Sequence, residues 1–333
     1  MSARTRYDYL ASDRSQFLEE ARQASDLTLP YLIRGHEEHM SGMKQLQTPY
    51  QSVGAKGVVT LASKLMLALL PVQTSFFKLQ LDESQLGDQM QPEMKSELDL
   101  SFAKVERIIL ESISASDDRV AVHQALLHLV VAGNALVFMS KHGLKVYPLN
   151  RYVVERDGNG QVIEIVTKES ISKALIQSQL PKETLDKVSD DDADTDDVDV
   201  YTHIKRDNNR FVWHQEVNST VLKDSHGKAP IDTNPWIPLR FNTVDGESYG
   251  RGRVGQFIGD LKSLEGLSKA LVEGSAAAAK VVFTVSPSST TKPSTLAQAG
   301  NGAIIQGRPD DIGVIQVGKT ADFRTAYEMS NTL

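Results

Sequence analysis

Three short stretches of this chain carry residue types at spacings that could do chemistry. Gly313 to Thr320, GVIQVGKT, matches the phosphate-loop pattern GxxxxGK[ST] letter for letter. Such a loop turns successive N–H groups toward phosphates, and Lys319 and Thr320 would serve the phosphates and magnesium of a nucleotide-dependent motor. Three of the four interior residues, Val314, Ile315 and Val317, are β-branched and favour a strand. A strand ending in a glycine turn is therefore the expectation, with the motor as the alternative. The run Asp186 to Asp199 holds eight aspartates, enough to suggest calcium, or a metal-dependent nuclease built on Asp190, Asp192 and Asp194. A calcium loop starting at Asp190 fails, because Thr195 stands where glycine is needed and Tyr201 where a bidentate glutamate is needed. With almost nothing to bury, SDDDADTDD reads as a solvated surface loop. His36 and His39 in HEEH lack the HExxH spacing of zinc hydrolases and read as surface residues. No GxSxG occurs, and His123, His128, His142, His203, His214 and His226 have no partner that spacing identifies.

The element of most interest is Tyr249 to Lys280, which reads as one long, lightly charged helix. Val254, Phe257, Ile258, Leu261, Leu264, Leu267, Leu271 and Val272 recur near the spacing of a helix packed against neighbours. At 1.5 Å per residue it would be ~45 Å long, more than a compact core needs, so identical copies side by side are a natural way to bury its seam. Lys262 and Lys269 are seven apart and share a face with Glu265 and Glu273. That face is either a salt-bridged solvent face or a water-filled, weakly charged lining. With five basic and three acidic residues, 249 to 280 is the mildly positive element of a chain whose formal net charge is -7.

Around it, helices are expected over 8 to 26 and 49 to 70, the second capped at Thr48 with Pro49 leading. Leu98, Phe102, Val105, Ile109 and Ile113 mark another helix, and Arg119 to Val131 a fourth, running into AGNALVF. From Leu144 the character turns to β. Tyr152 to Arg156 and Gln161 to Thr167 flank the hairpin signal Asp157 to Gly160, and strands fit Val198 to Lys205, Arg210 to Val217 and Trp236 to Asn242, the last an edge strand with Pro235 and Pro238. Val281 to Val285, Ala303 to Gln306 and Val314 to Val317 read as strands, Ser286 to Thr295 as a loop, and Ala321 to Leu333 as a helical pattern without a stop. The expectation is an α+β protein that is a fragment of a longer product.

Composition narrows the function classes. The 333 residues are 40% hydrophobic and 24% charged, which excludes disorder of the whole. Zero cysteines exclude disulfides and a thiolate nucleophile. The polar start MSARTRYDYLASDR has no signal-peptide core, and Val58 to Pro71, the most apolar window, contains Lys64 and is too short to cross a bilayer. An acidic whole argues against tight gripping of nucleic acid.

Several blocks, in order along the chain, resemble the portal, or head-to-tail connector, proteins of short-tailed bacteriophages of the podovirus group. They are TPYQSVGAKGVVTLASKLMLALLPVQTSFFKL at 48 to 79, AKVERIILESISASDDRVAVHQALLHLVVAGNALVF at 103 to 138, RYVVERDGNGQVIEIVTKESI at 151 to 171, DVYTHI at 199 to 204, and PWIPLRFNTVDGESYGRGRVGQFIGDLKSLEGLSKAL at 235 to 271. The resemblance implies a non-enzymatic ring of twelve copies at one capsid vertex, without cofactor, metal or membrane. Through it a terminase motor drives double-stranded DNA inward, and DNA later leaves through the tail. It implies a wing over 1 to 248 (helical over 1 to 140, β-rich over 144 to 248) and a stem helix over 249 to 280. A clip follows over 281 to 320, then the start of a returning stem helix over 321 to 333; the second wing half, channel loop and crown of the family have no counterpart here. Lys262, Lys269 and Lys280 become candidates for the DNA-channel lining, and Lys292, Arg308, Asp310 and Asp311 for docking partners at the clip. The implied partners are further copies, the terminase large subunit, scaffolding and major capsid proteins, tail adaptors and DNA bound without sequence specificity. The implied location is the virion, with the host cytoplasm during assembly.

Overall fold

A computed structural model describes residues 2–33, 48–71, 74–80, 92–172, 197–223, 225–278, 281–289, 292–299, 306, 308, 310 and 312–316. They divide into two units, Met1–Ile258 and Gly259–Leu333.

The first unit opens with helix α1 (Ala3–Asp26), longer than the expected 8 to 26 because Ser2 caps it, its hydroxyl accepting the Thr5 N–H at 3.2 Å. Tyr7, Leu10, Arg14, Leu18 and Ala21 recur every three or four residues and are all buried. Helix α2 (Val53–Leu69) starts four residues later than the Thr48-Pro49 signal suggests. The buried Gln51 sets its start: the amide donates to Leu27 O at 2.6 Å, and its oxygen accepts the Gly54 N–H at 2.9 Å. Helix α3 (Pro92–Ala115) follows the predicted stripe, but Leu98, Phe102 and Ile113 are only half-buried and Leu100 and Ile108 are exposed. Helix α4 (Asp118–Ala132) is apolar on every side over its last two turns, so it is enclosed rather than amphipathic. It ends at Gly133, whose φ of +74° is the left-handed cap that costs glycine least.

The chain turns to β at Asn134, ten residues before the expected Leu144, so AGNALVF is a helix stop followed by a strand. Strands β1 (Asn134–Ser140), β2 (Gly143–Tyr147) and β9 (Trp236–Arg240) form an antiparallel sheet in the order β2-β1-β9. Pro238 of β9, with Pro235 just before the strand, is tolerated because β9 is an edge, as predicted. A second antiparallel sheet has the order β3-β4-β5-β6-β7, with β8 also on β6. Its members are β3 (Tyr152–Arg156), β4 (Val162–Ser172), β5 (Asp197–Asp207), β6 (Arg210–Val217), β7 (Thr220–Val221) and β8 (Gly227–Pro230). Asp157 to Gly160 closes the β3–β4 hairpin as expected, and Ile165, Val166 and Ile204 are fully buried.

Helix α1 lies on this sheet through buried polar groups as well as apolar ones. The Arg14 guanidinium is buried and donates from Nη1 to Leu149 O at 3.0 Å, Tyr152 O at 2.6 Å and the Tyr7 hydroxyl at 3.1 Å. Glu164 accepts from Arg6 Nε at 2.8 Å and pairs with His203, while Arg6 also reaches Glu155 at 2.5 Å. Glu216 accepts the Ala3 N–H at 2.7 Å and pairs with His214 at 2.8 Å. The two carboxylates are thus shared between the start of the helix and histidines paired across β5 and β6. These are the partners that spacing alone did not supply.

The first unit ends at a junction. Asn134 Nδ2 donates to Gly250 O at 2.6 Å and its Oδ1 accepts the Gly250 N–H at 2.7 Å, so one side chain imitates a strand partner for backbone. Gly133 O accepts the Phe241 N–H at 2.9 Å, and Arg251 bridges Asn242. No side chain fits between these strands: a Cβ on Gly252 would lie 2.3 Å from Val131 O, and one on Gly133 2.4 Å from the Arg251 carbonyl carbon. Residues 249 to 253 therefore lie outside the helix, with Arg251 bridged to Asn242 and Arg253 already in αR as the residue before the 3-10 turn, correcting the expected start at Tyr249. Tyr249 is a core residue whose hydroxyl accepts the Val154 N–H at 3.0 Å. A 3-10 turn (Val254–Phe257) then leads into helix α5 (Ile258–Ala278).

The second unit holds α5, an antiparallel pair of strands β10 (Val281–Val285) and β11 (Ile312–Gln316), and a short helix α6 (Pro293–Gln298). Pro293 at the first helical position starts α6 inside what composition marked as a loop. The expected strand Ala303 to Gln306 falls outside the described residues except for Gln306, which is in no strand, and 321 to 333 lies outside them altogether.

Two outcomes follow. Gly252→Ala and Asn134→Ala, measured by urea unfolding, should each cost about 2 kcal/mol or more, the first by overlap with Val131 O and the second by leaving the Gly250 amide without its partner. Near-wild-type midpoints would contradict the tight junction. The second concerns acid. Burial by itself would raise the Glu164 carboxyl, but bonds from His203 and Arg6 outweigh it and hold it below the ordinary carboxylate value. A depressed carboxyl contributes stability that is full above its unfolded value and is lost as pH falls through its folded one. Stability measured from about pH 6 to about pH 3 should therefore drop less steeply in Glu164→Gln than in the parent, from a lower neutral starting point.

Candidate functional site

Helix α5 is the element to which the sequence assigns a lining role. Its 21 residues span about 32 Å at 1.5 Å each, shorter than the ~45 Å expected because the junction takes its first turns. Leu264 is buried and Leu261, Leu267 and Leu271 are half-buried, so the apolar seam exists. Phe257, in the preceding 3-10 turn, and Val272 are exposed.

The charged face is built as the spacing predicted. At 100° per residue Lys262, Glu265, Lys269 and Glu273 fall within about 80° of one another. Lys262 and Lys269 are exposed, and Lys269 Nζ lies 3.9 Å from a Glu273 carboxylate oxygen, one turn on. A pair that open contributes little to stability, so its effect is on the field the face presents. Two lysines alternate with two carboxylates, which gives a polyanion no run of positive charge to settle on.

The structure changes the charge balance expected for this segment. Of the basic residues in 249 to 280, Arg251 is tied to Glu247 at 2.7 Å and stacked over Phe17, and its bond to Glu247 raises its pKa further. Arg253 bonds Gln256 at 2.5 Å and lies over Phe257. Lys280 lies outside the described residues. The helix proper therefore carries two lysines against Asp260, Glu265 and Glu273, and is mildly acidic rather than mildly positive. Position relative to the helix start, which one sequence does not reveal, decides which charges belong to the face.

The remaining candidates sit in the second unit or beyond description. Lys292, Arg308 and Asp310 are exposed, and Asp311 lies outside the described residues. The phosphate-loop pattern is overturned as a loop over its first half. Gly313 to Gln316 are strand β11, paired residue by residue with Thr284 to Val281, and Gly313 O accepts the Thr284 hydroxyl at 3.2 Å. Their N–H groups belong to a ladder rather than a phosphate cradle, the β-branched preference having decided the matter. Lys319 and Thr320, the aspartates Asp190, Asp192 and Asp194, and His36 and His39 all lie outside the described residues. Among the described residues no three His, Asp or Glu side chains gather as a metal site. His128 is enclosed in α4, where burial lowers it to about 4 and keeps it neutral, a core histidine. No described helix is long and apolar enough to cross a membrane.

Among the described residues no reacting constellation forms; the structure presents a mixed α+β first unit and, in the second unit, a helix with an evenly charged face. The chain is 36% identical over 340 residues to the portal protein of Escherichia phage T7, an alignment covering 99% of this chain and 63% of the relative. It is 36% identical over 342 residues to the portal protein of Enterobacteria phage T3, with the same coverage. With the portal protein of Enterobacteria phage SP6 it shares 29% over 328 residues, 95% of this chain and 61% of the relative. The chain spans somewhat less than two thirds of the length of these relatives. Because the whole of it, residues 1–333, matches the family described as bacteriophage head to tail connecting protein, the chain belongs to that family of phage portal proteins.

Proposed function

We propose that this chain is the subunit of a ring-shaped channel of twelve copies at one capsid vertex, through which double-stranded DNA enters during packaging and leaves during ejection. The observation that carries the proposal is membership of the connector family over the full 333 residues. Two structural features support it. Exposed Leu67, Leu100, Ile108 and Val120 on α2, α3 and α4 are the kind of apolar surface that neighbouring copies cover. Helix α5 presents Lys262 and Lys269 interleaved with carboxylates, a face suited to sliding because each neutralised phosphate adds affinity and slows passage. The connector acts without catalysis of its own, the work being done by a terminase motor docked against it.

In this reading residues 1 to 248 form the wing, 249 to 280 the stem and its lead-in, 281 to 320 the clip and 321 to 333 the start of the returning stem. Lys262, Lys269 and Lys280 line the channel. Lys292, Arg308, Asp310 and Asp311 face the terminase large subunit during packaging and tail adaptors afterwards. Scaffolding and major capsid proteins contact the ring during assembly in the host cytoplasm, and the finished ring stays in the virion.

Native mass spectrometry with negative-stain imaging should show closed rings with a central hole; a chain that stays monomeric at every concentration counts against the ring. In packaging reactions Lys262→Glu with Lys269→Glu should lower DNA uptake several-fold while ring assembly is unchanged. Unchanged uptake refutes the lining assignment.

A further inference from the structure

A cleft of about 520 Å³ in the first unit lies between the Asp157 to Gly160 turn, Arg240 of β9 and the loop from Thr243 to Ser248. Two arginines, Arg156 and Arg240, line it. Arg156 is half-buried and spends its donors on backbone: Nε on Ser248 O at 3.0 Å, Nη1 on Gly160 O at 3.0 Å and Nη2 on Pro238 O at 2.8 Å. Arg240 donates from Nη1 to Glu247 O at 2.9 Å. Every one of these acceptors is a neutral carbonyl. Burial first, and then the like charge of Arg240, lowers Arg156 to about 10. Two cations brought this close without a bound carboxylate between them leave a Coulomb cost that an oxyanion relieves, and the planar fork of arginine is the donor set that holds one in two places at once.

The acids that line the same cleft do not answer that charge. Asp157 Oδ1 accepts the N–H groups of Asn159 at 3.0 Å and Gln161 at 2.7 Å, and so holds the turn. Glu247 is bound to Arg251. Together with Asp245 they put negative charge along the lining. A DNA backbone, with a charge at every phosphate, meets that repulsion along its length, whereas a side-chain carboxylate brings a single charge to the arginines and meets far less of it. The volume is in the range of a small-ligand pocket and admits a side chain with its flanking backbone.

We propose that this cleft is a docking site for a protein carboxylate, an aspartate or glutamate side chain of another polypeptide held between Arg156 and Arg240. Arg240 carries the recognition, since it keeps Nε and Nη2 after its one carbonyl bond, whereas Arg156 mainly ties the turn, the edge strand and the loop together. The site is independent of α5 and of the channel reading.

The test uses the full chain and follows the arginine Nε–H resonances by NMR. The probes are blocked glutamate (N-acetyl, amide), blocked glutamine, and a short DNA duplex. Blocked glutamate should move the Arg240 resonance saturably and blocked glutamine should not. In Arg240→Gln, affinity for blocked glutamate, read from the Arg156 resonance, should fall roughly ten-fold, with Arg240→Lys in between because it keeps the charge without the fork. The variants' circular dichroism should match the parent's. Equal responses to glutamate and glutamine, or no response to either, overturn the proposal, as does a duplex that moves the Arg240 resonance at lower concentration than blocked glutamate, which would make the cleft a phosphate site.

Discussion

The first unit depends on the contact between two backbone segments, Val131 to Asn134 and Gly250 to Gly252, at a distance only glycine permits. Helix α4 ends there, β1 begins there, and the chain leaves there for α5. Asn134 supplies the acceptor and the donor that the Gly250 peptide groups need, so the close approach leaves no buried amide without a partner. Because the spacing is set by hard contact of main-chain atoms, it cannot be relaxed by repacking a flexible side chain.

A second layer of constraint is electrostatic and lies under α1. Arg14, Arg6, Glu164 and Glu216 are largely withdrawn from water, and each is matched by bonds across the helix–sheet boundary. Apolar contacts such as Tyr7 against Tyr201 would allow several ways to lay a helix on a sheet. Buried charges allow very few, since any slip strands an ion in a poor dielectric. The two arginines before α5 are exposed like its lysines, but differ in being held by local bonds and aromatic faces: Arg251 by Glu247 and Phe17, Arg253 by Gln256 and Phe257.

Much of this was legible in the sequence, for reasons that differ by element. Hairpin β3–β4 followed from Asp157 to Gly160 flanked by apolar strands, and β10 and β6 were read to the residue, the first as a β-branched run and the second as an aromatic-bearing stretch between Asn208-Asn209 and Asn218. The face of Lys262, Glu265, Lys269 and Glu273 followed from helical spacing alone. What failed was local context overridden by contact at long range. AGNALVF reads as the tail of a helix until Gly133 is seen to adopt positive φ against Arg251, and Tyr249 to Arg253 fit a helical stripe until Gly250 and Gly252 are seen packed on Val131 and Gly133. The Thr48-Pro49 signal was displaced because Gln51 reaches across to Leu27. Glu164 with His203, and Arg156 with Arg240, are far apart in sequence, and no pattern in a single chain joins them. The connector family, by contrast, was recognisable from long blocks whose order matches, although nothing in their composition says what they build.

The pairing of β1 with β9 closes a loop of roughly 100 residues that contains the entire larger sheet. The strands within that loop mostly join sequence neighbours through short turns, so they can form early and independently, while β1–β9 contact must wait for the loop's ends to meet. Folding order is thereby written into the topology. The Asn134–Gly250 lock joins segments on either side of the same loop, so like the β1–β9 pairing it must wait for the loop's ends to meet.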